Sequence, residues 1–220
     1  DYQHPIAVMF TDIKGSTSYF ERFGDVAGRE MIETHNQMLF PVIERRDGHV
    51  IQTRGDAILA YFEGAEEAVQ ASVEMQNALL SHNQKNTGDM NQTHIRIGIH
   101  YGVSLLEFSD DGQVVDIYGD AVNTASRVET ALNKKTDQIL ISKSVYEAVE
   151  NRKDIHVEYL DTVEARNKAE PLEIYRVLWH PDDRSRSRQQ PKSSPSRLRN
   201  VGARYAVVVG TNIYKDGTIP

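Results

Sequence analysis

Apolar and polar positions along the chain spell strands and helices in alternation as far as residue 179. Residues 6–13 form an apolar run of strand length, followed by the turn Lys14-Gly15 and a helix that Ser16 or Thr17 would cap. Met31, Leu39, Val42 and Ile43 fall near helical spacing and predict a second helix, ending before Asp47-Gly48, a type I′ hairpin signal. Residues 49–53 and 57–62 are short and apolar, so they predict a hairpin with Arg54-Gly55-Asp56 at its tip. A helical pattern over 65–80 should cover one sheet face. In 94–108, Ile95, Ile97 and Ile99 alternate with Arg96, Gly98 and His100, the mark of a long strand, and Asp110-Asp111-Gly112 turns the chain into another strand ending near Asp116. A helix over 120–132, a strand over 138–141, a helix capped by Ser142 and strands near Val157 and at 172–177 complete the order βααββαββαβαββ. That is an α+β pattern of the ferredoxin-like kind, a βαββαβ core with helices on the sheet.

The pattern stops at residue 180. Residues 180–203 are poor in apolar residues and rich in Arg, Ser, Pro and Gln, the composition of a basic flexible linker. From His180 onward the net charge is +5, which leaves −12 on the part before it. An acidic domain of that size argues against a nucleic-acid partner, which needs a basic surface. The sequence has no cysteine, so thiol catalysis, cysteine-based zinc sites and redox switching fall away and a reducing, cytoplasmic compartment is expected. No apolar run approaches the ~18 residues of a membrane span. The eight His include no helical pair that would suit zinc.

Three motifs carry chemistry. In Phe10-Thr11-Asp12-Ile13-Lys14-Gly15-Ser16-Thr17 a carboxylate ends a buried strand with a helix N-terminus directly behind it. The carboxylate suits a hard cation such as magnesium or manganese, and main-chain N–H groups at Gly15, Ser16 and Thr17 suit phosphate oxygens. Gly55-Asp56 places a second carboxylate on the hairpin tip, where two aspartates from adjacent strands can share a metal pair. Asn123 and Arg127, four apart on one helix, share a face from which Arg127 can meet charge developing on a triphosphate and Asn123 can orient the ribose.

FTDIKGST, GDAILAYF and DIYGDAVNTASR, in that order and spacing, resemble the class III adenylyl and guanylyl cyclase catalytic domain over roughly residues 5–178. The resemblance implies two magnesium or manganese ions at Asp12, Ile13 and Asp56, with Asn123 and Arg127 as the catalytic pair. It also implies a head-to-tail homodimer in which the aspartates of one chain face the Asn and Arg of the other. The base is read in that family by a Lys two residues before Gly-Asp, occupied here by Gln52, and by the position of Asp116. Asp116 can accept from the exocyclic amine of adenine and Gln52 can donate to adenine N1, so ATP leads; a flipped amide would suit guanine, and pyrimidine triphosphates stay open. Arg54 replaces an apolar residue and is expected to touch phosphate, the partner chain or solvent. Arg166 aligns best with the family's triphosphate-binding Lys, with Lys168 as the alternative. A catalytically silent nucleotide-binding or dimerising module is the competing function. A diguanylate cyclase would want a Gly-Gly-Asp/Glu-Glu-Phe signature, which this chain lacks.

Beyond the linker, residues 204–210 (RYAVVVG) with Tyr214-Lys215-Asp216 are similar to the opening strand of caspase-like peptidase domains, without the catalytic His and Cys. The expected organisation is a cyclase domain at 1–179, a linker at 180–203 and the start of a further domain at 204–220.

Overall fold

β1 (Gln3–Ile13) is apolar on both faces: Ile6, Ala7, Val8 and Met9 are all buried, so the strand requires cover from two sides. The computed structural model describes residues 2–86, 88, 92–132, 135–164, 171–180 and 182–183. In it β1 lies between β3 (Ala57–Phe62) and β4 (Ile95–Phe108), antiparallel to both. With β2 (Gly48–Arg54), β5 (Val114–Tyr118), β6 (Ile139–Ser142), β7 (Val157–Val163) and β8 (Leu172–Val177) they form an eight-stranded sheet. Its order is β2-β3-β1-β4-β6-β8-β7, with β5 paired to β4. Only the β4–β6 pairing is parallel.

Helices α1 (Ser16–Arg45), α2 (Ala65–Lys85) and α4 (Lys143–Val149) cover one face of the sheet, where Leu39, Met75 and Val145 meet Met9, Phe62, Ile97 and Ile141. α3 (Asp120–Ala131) covers part of the other, with Ala121 and Ala125 against Val8, Leu59 and Ile117. The alternation in β4 follows these layers. Ile95, Ile97 and Ile99 enter the three-helix core, whereas Arg96 and Gly98 face α3, at Glu129. The α+β architecture expected from the sequence is the one observed.

Local details differ. The two helices expected after β1 run on as α1, divided where Gly24 leaves helical geometry at φ 83°. Neither Ser16 nor Thr17 caps it; Gly15, at φ 81°, holds the cap position, in a left-handed conformation that costs glycine little. Asp47-Gly48 is not a hairpin turn. Asp47 is left-handed at φ 55° but Gly48 already belongs to β2, and the N–H groups of Arg46 and Asp47 close the end of α1 on Ile43 and Glu44. Ser142 precedes α4, yet its hydroxyl makes no cap bond to the helix main chain and instead meets the ring of His100 at 2.8 Å and the Ser144 hydroxyl at 3.0 Å. Apart from residues 180, 182 and 183, the expected linker and the caspase-like stretch lie outside the described residues, as do Arg166 and Lys168.

Candidate active site

Strand register assembles the site. Thr11 pairs with Ile58 and Asp12 with Arg96, so the end of β1 sits between the β2–β3 turn and the start of β4. Asp56 lies in that turn, behind Gly55 at φ 61°, and is carried to the side of Asp12. Burial raises the Asp12 carboxyl above its usual range; hydrogen bonding and charge from Arg96 oppose this, while the neighbouring Asp56 adds to it. Two carboxylates that destabilise each other's charge in a partly buried corner are an electrostatic well for a cation. Asp56 Oδ2 is buried and accepts no hydrogen bond from a described residue. An orphaned acceptor of this kind costs about 1–3 kcal/mol unless something satisfies it.

Magnesium or manganese fits this donor set. Either takes one or two carboxylates and fills its remaining positions with water and substrate phosphate. No group of three or more His, Asp or Glu side chains gathers into a metal cage among the described residues, so the protein's share is the open pair. Ile13 is buried in the core, leaving only its main chain for a ligand. Gly15, Ser16 and Thr17 form the uncapped start of α1 immediately behind Asp12, the arrangement that presents N–H groups to phosphate.

Three further residues belong to this corner. The Arg96 guanidinium bonds Asp12 through Nη2, and its Nε lies 3.2 Å from Glu129 Oε1, an ion pair without hydrogen-bond alignment. Burial pushes Glu129 up to about 7, against the pull of Arg96 and with the push of Asp12 and Asp56. His35 on α1 is fully buried; burial lowers its pKa, the hydrogen bond to Asn36 Oδ1 (3.0 Å) and the Asp56 charge act the other way, and its Nε2 makes no hydrogen bond. None of the three was singled out from sequence. The available signal was Arg96 itself, a charged residue inside an Ile-rich alternation.

The other expected residues form two separate groups. Gln52 on β2 and Asp116 on β5 are half-buried on adjoining strands. One Asp116 oxygen accepts the Ile117 N–H at 2.8 Å. Arg54 is exposed, as the solvent reading expects, and in addition donates through Nε to Gln52 Oε1 at 3.3 Å. Asn123 is exposed and Arg127 half-buried on α3, which buries Ala125 and Val128. The Arg127 carbonyl accepts the Thr130 hydroxyl at 3.3 Å, but the side chains of Asn123 and Arg127 make no hydrogen bond or ion pair to a described residue, and neither is joined to Asp12 or Asp56.

Sheet order, paired strand-end carboxylates and the Asn/Arg helix together describe a nucleotide cyclase fold. Residues 2–178 match the family described as Adenylate and Guanylate cyclase catalytic domain, and the chain belongs to that family. The putatively named adenylate cyclase 3 of Rhizobium meliloti is 26% identical over 96% of this chain and 34% of its own length. A serine/threonine-protein kinase, pkn2, of Myxococcus xanthus is 28% identical over 78% of this chain and 19% of its own. The chain thus spans about a third or less of these two relatives. Among solved structures, the guanylyl cyclase Cya2 superposes with a TM-score of 0.71 at 28% identity, covering 80% of this chain and 92% of that one.

Proposed function

We propose that the domain is an active nucleotidyl cyclase that converts ATP to 3′,5′-cyclic AMP and pyrophosphate at sites shared between two copies of the chain. The observation that carries this reading is the split of the machinery: Asp12 and Asp56 stand together, while the side chains of Asn123 and Arg127 on α3 have no hydrogen bond or ion pair to a described residue. A second copy, placed head to tail, brings the two halves against one substrate. The 3′-oxygen attacks the α-phosphorus, the bond to the β-phosphate bridging oxygen breaks, and the 3′-hydroxyl proton is released. Two magnesium or manganese ions, when bound, lower the pKa of that hydroxyl and neutralise the leaving pyrophosphate. Asp12 and Asp56 would hold them, Arg96 sharing the Asp12 carboxylate. The start of α1 at Gly15, Ser16 and Thr17 receives phosphate oxygens. Arg127 of the opposite copy meets the charge that develops on the transferring phosphoryl group, and Asn123 orients the ribose. Gln52 and Asp116 hold the base, and Arg166 is the proposed grip on the triphosphate tail.

An uncovered apolar strip supports the second copy. The face of β4 that Ile95, Ile97 and Ile99 turn to the helices continues as Val103 and Leu105, 59% and 45% exposed, with exposed Tyr118 of β5 paired to Leu105. Such a patch on an otherwise acidic domain is the kind that a partner surface buries. The lengths of the relatives support further domains in the full protein, with residues 180–203 as the proposed connection. Complementation tests the reading. Asp12→Asn and Arg127→Ala are each expected to lose cyclase activity, and an equal mixture to recover about a quarter of it, from heterodimers with one intact site. Recovery of nothing would rule out the shared site.

A further inference from the structure

Gln52 and Arg54 lie two residues apart on β2 and project to the same side of the strand. Their hydrogen bond, Arg54 Nε to Gln52 Oε1 at 3.3 Å, has a polarity that chemistry dictates. A guanidinium carries donors only, so of the two atoms of an amide only the oxygen can face it. The Gln52 nitrogen is thereby turned away with both of its hydrogens to give.

We infer that Arg54 is a specificity-determining residue that acts through Gln52, fixing the amide as a donor and so selecting bases that offer an acceptor ring nitrogen beside an exocyclic amine. The inference rests on the proposed cyclase activity, with Gln52 and Asp116 at the base. Adenine presents N1 as an acceptor next to its 6-amino group, and cytosine presents N3 next to its 4-amino group. Either edge meets a donor at Gln52 and an acceptor at Asp116. Guanine and uracil present the reverse, a ring N–H beside a carbonyl oxygen. A free glutamine could flip to take that N–H on its oxygen, but an oxygen held by Arg54 is turned from it. The keto bases are then left with a buried N–H unpaired and a carbonyl against the Asp116 carboxylate. An unpaired polar group at a reading site is what makes rejection steep.

Arg54 is exposed and donates to Gln52, and a comparison across four bases separates an effect on base choice from general electrostatics. The test is kcat/KM for cyclic product from ATP, CTP, GTP and UTP with manganese, in the wild type and in Arg54→Met, Arg54→Lys and the Gln52→Met, Arg54→Met double variant. In Arg54→Met the preference for amino over keto bases is expected to fall about tenfold, chiefly by a gain on GTP and UTP. The ATP-to-CTP ratio should not move. Arg54→Lys, which still offers only donors, keeps most of the preference, and on a Gln52→Met background removing Arg54 has no further effect on it. An equal loss with all four nucleotides would make Arg54 a charge near the phosphates, and no change in any ratio would make the bond an idle surface contact. Either result overturns the inference while leaving the cyclase reading intact. If the wild type forms no product, the cyclase reading fails by itself. The same ratios are then read from displacement of a fluorescent ATP analogue, and loss of selectivity confined to Arg54→Met supports the inference where its absence refutes it.

Discussion

Gly98 is the residue on which the two layers of the site depend. A Cβ there would meet the main-chain N and Cα of Glu129, so α3 lies on β4 with no space for a side chain. The obstruction is backbone and has no rotamer by which to yield. Gly98→Ala is therefore expected to lift the helix, destabilising the domain by about 1–3 kcal/mol and shifting Arg127 with it. Thermal denaturation alongside turnover checks this; an unchanged melting temperature would mean that α3 accommodates the methyl group freely. At this scale the aspartates were legible in advance, because a carboxylate at a strand end before Gly-Ser-Thr and another after a turn glycine each have a local signature. Arg96 and Glu129 were not. Their ion pair joins residues from β4 and α3 and exists only once the Asp12–Arg96 register and the close approach at Gly98 are set. Arg54 is exposed as expected of a turn residue, but its bond to Gln52 was not foreseen, although a strand puts its second neighbour on the same side.

Among the elements, the β4–β5 hairpin has the most to gain from company. Leu105→Glu places a charge in the middle of the exposed apolar strip, on a side chain that the domain's own core does not enclose. The expected result is a folded monomer by light scattering, with activity falling in step with loss of the dimer. A variant that stays dimeric would move the interface elsewhere. The strands were largely readable because β1, β3 and β6 are apolar runs with turn residues at their ends, and β4 alternates. The turn before β2 was misread from a dipeptide: a type I′ turn needs two left-handed residues, and only Asp47 is left-handed. The two expected helices correspond to the two parts of α1 on either side of Gly24, which leaves helical geometry at φ 83°.

Across the whole molecule, His94 ties together three ends of the chain. Its ring meets Asp137 Oδ2 at 2.9 Å, its carbonyl accepts the Lys14 N–H at 2.8 Å, and the Asp137 carbonyl accepts the Trp179 indole N–H at 2.7 Å. The hydrogen bond to Asp137 raises the His94 pKa against the effect of burial. A raised folded-state pKa stabilises the fold fully below the unfolded value, about 6.5, and that stabilisation is lost as pH climbs through the raised value. Melting temperature should accordingly decline as pH rises through that window, and His94→Gln should flatten the decline. An identical slope in the variant would assign the titration to another group. Solvent reaches this pair, so the effect is modest. Nothing in the sequence links residues 94, 137 and 179, since their meeting depends on the parallel β4–β6 crossover and on how the chain leaves β8.

In the proposed reading, one strand serves both the chemistry and the assembly. β4 is in unbroken register with β1 from Ile95 to Leu105, and its irregularity comes only afterwards, at Glu107 and Phe108. Arg96 and Leu105 are therefore fixed to a single stiff beam, about 30 Å apart at the ordinary rise per residue. A beam of that length converts a tilt of about 5° at one end into about 2.5 Å at the other. In the proposed dimer, whatever cants one protomer against its mate would be geared, without an intervening hinge, into the spacing of the carboxylate corner.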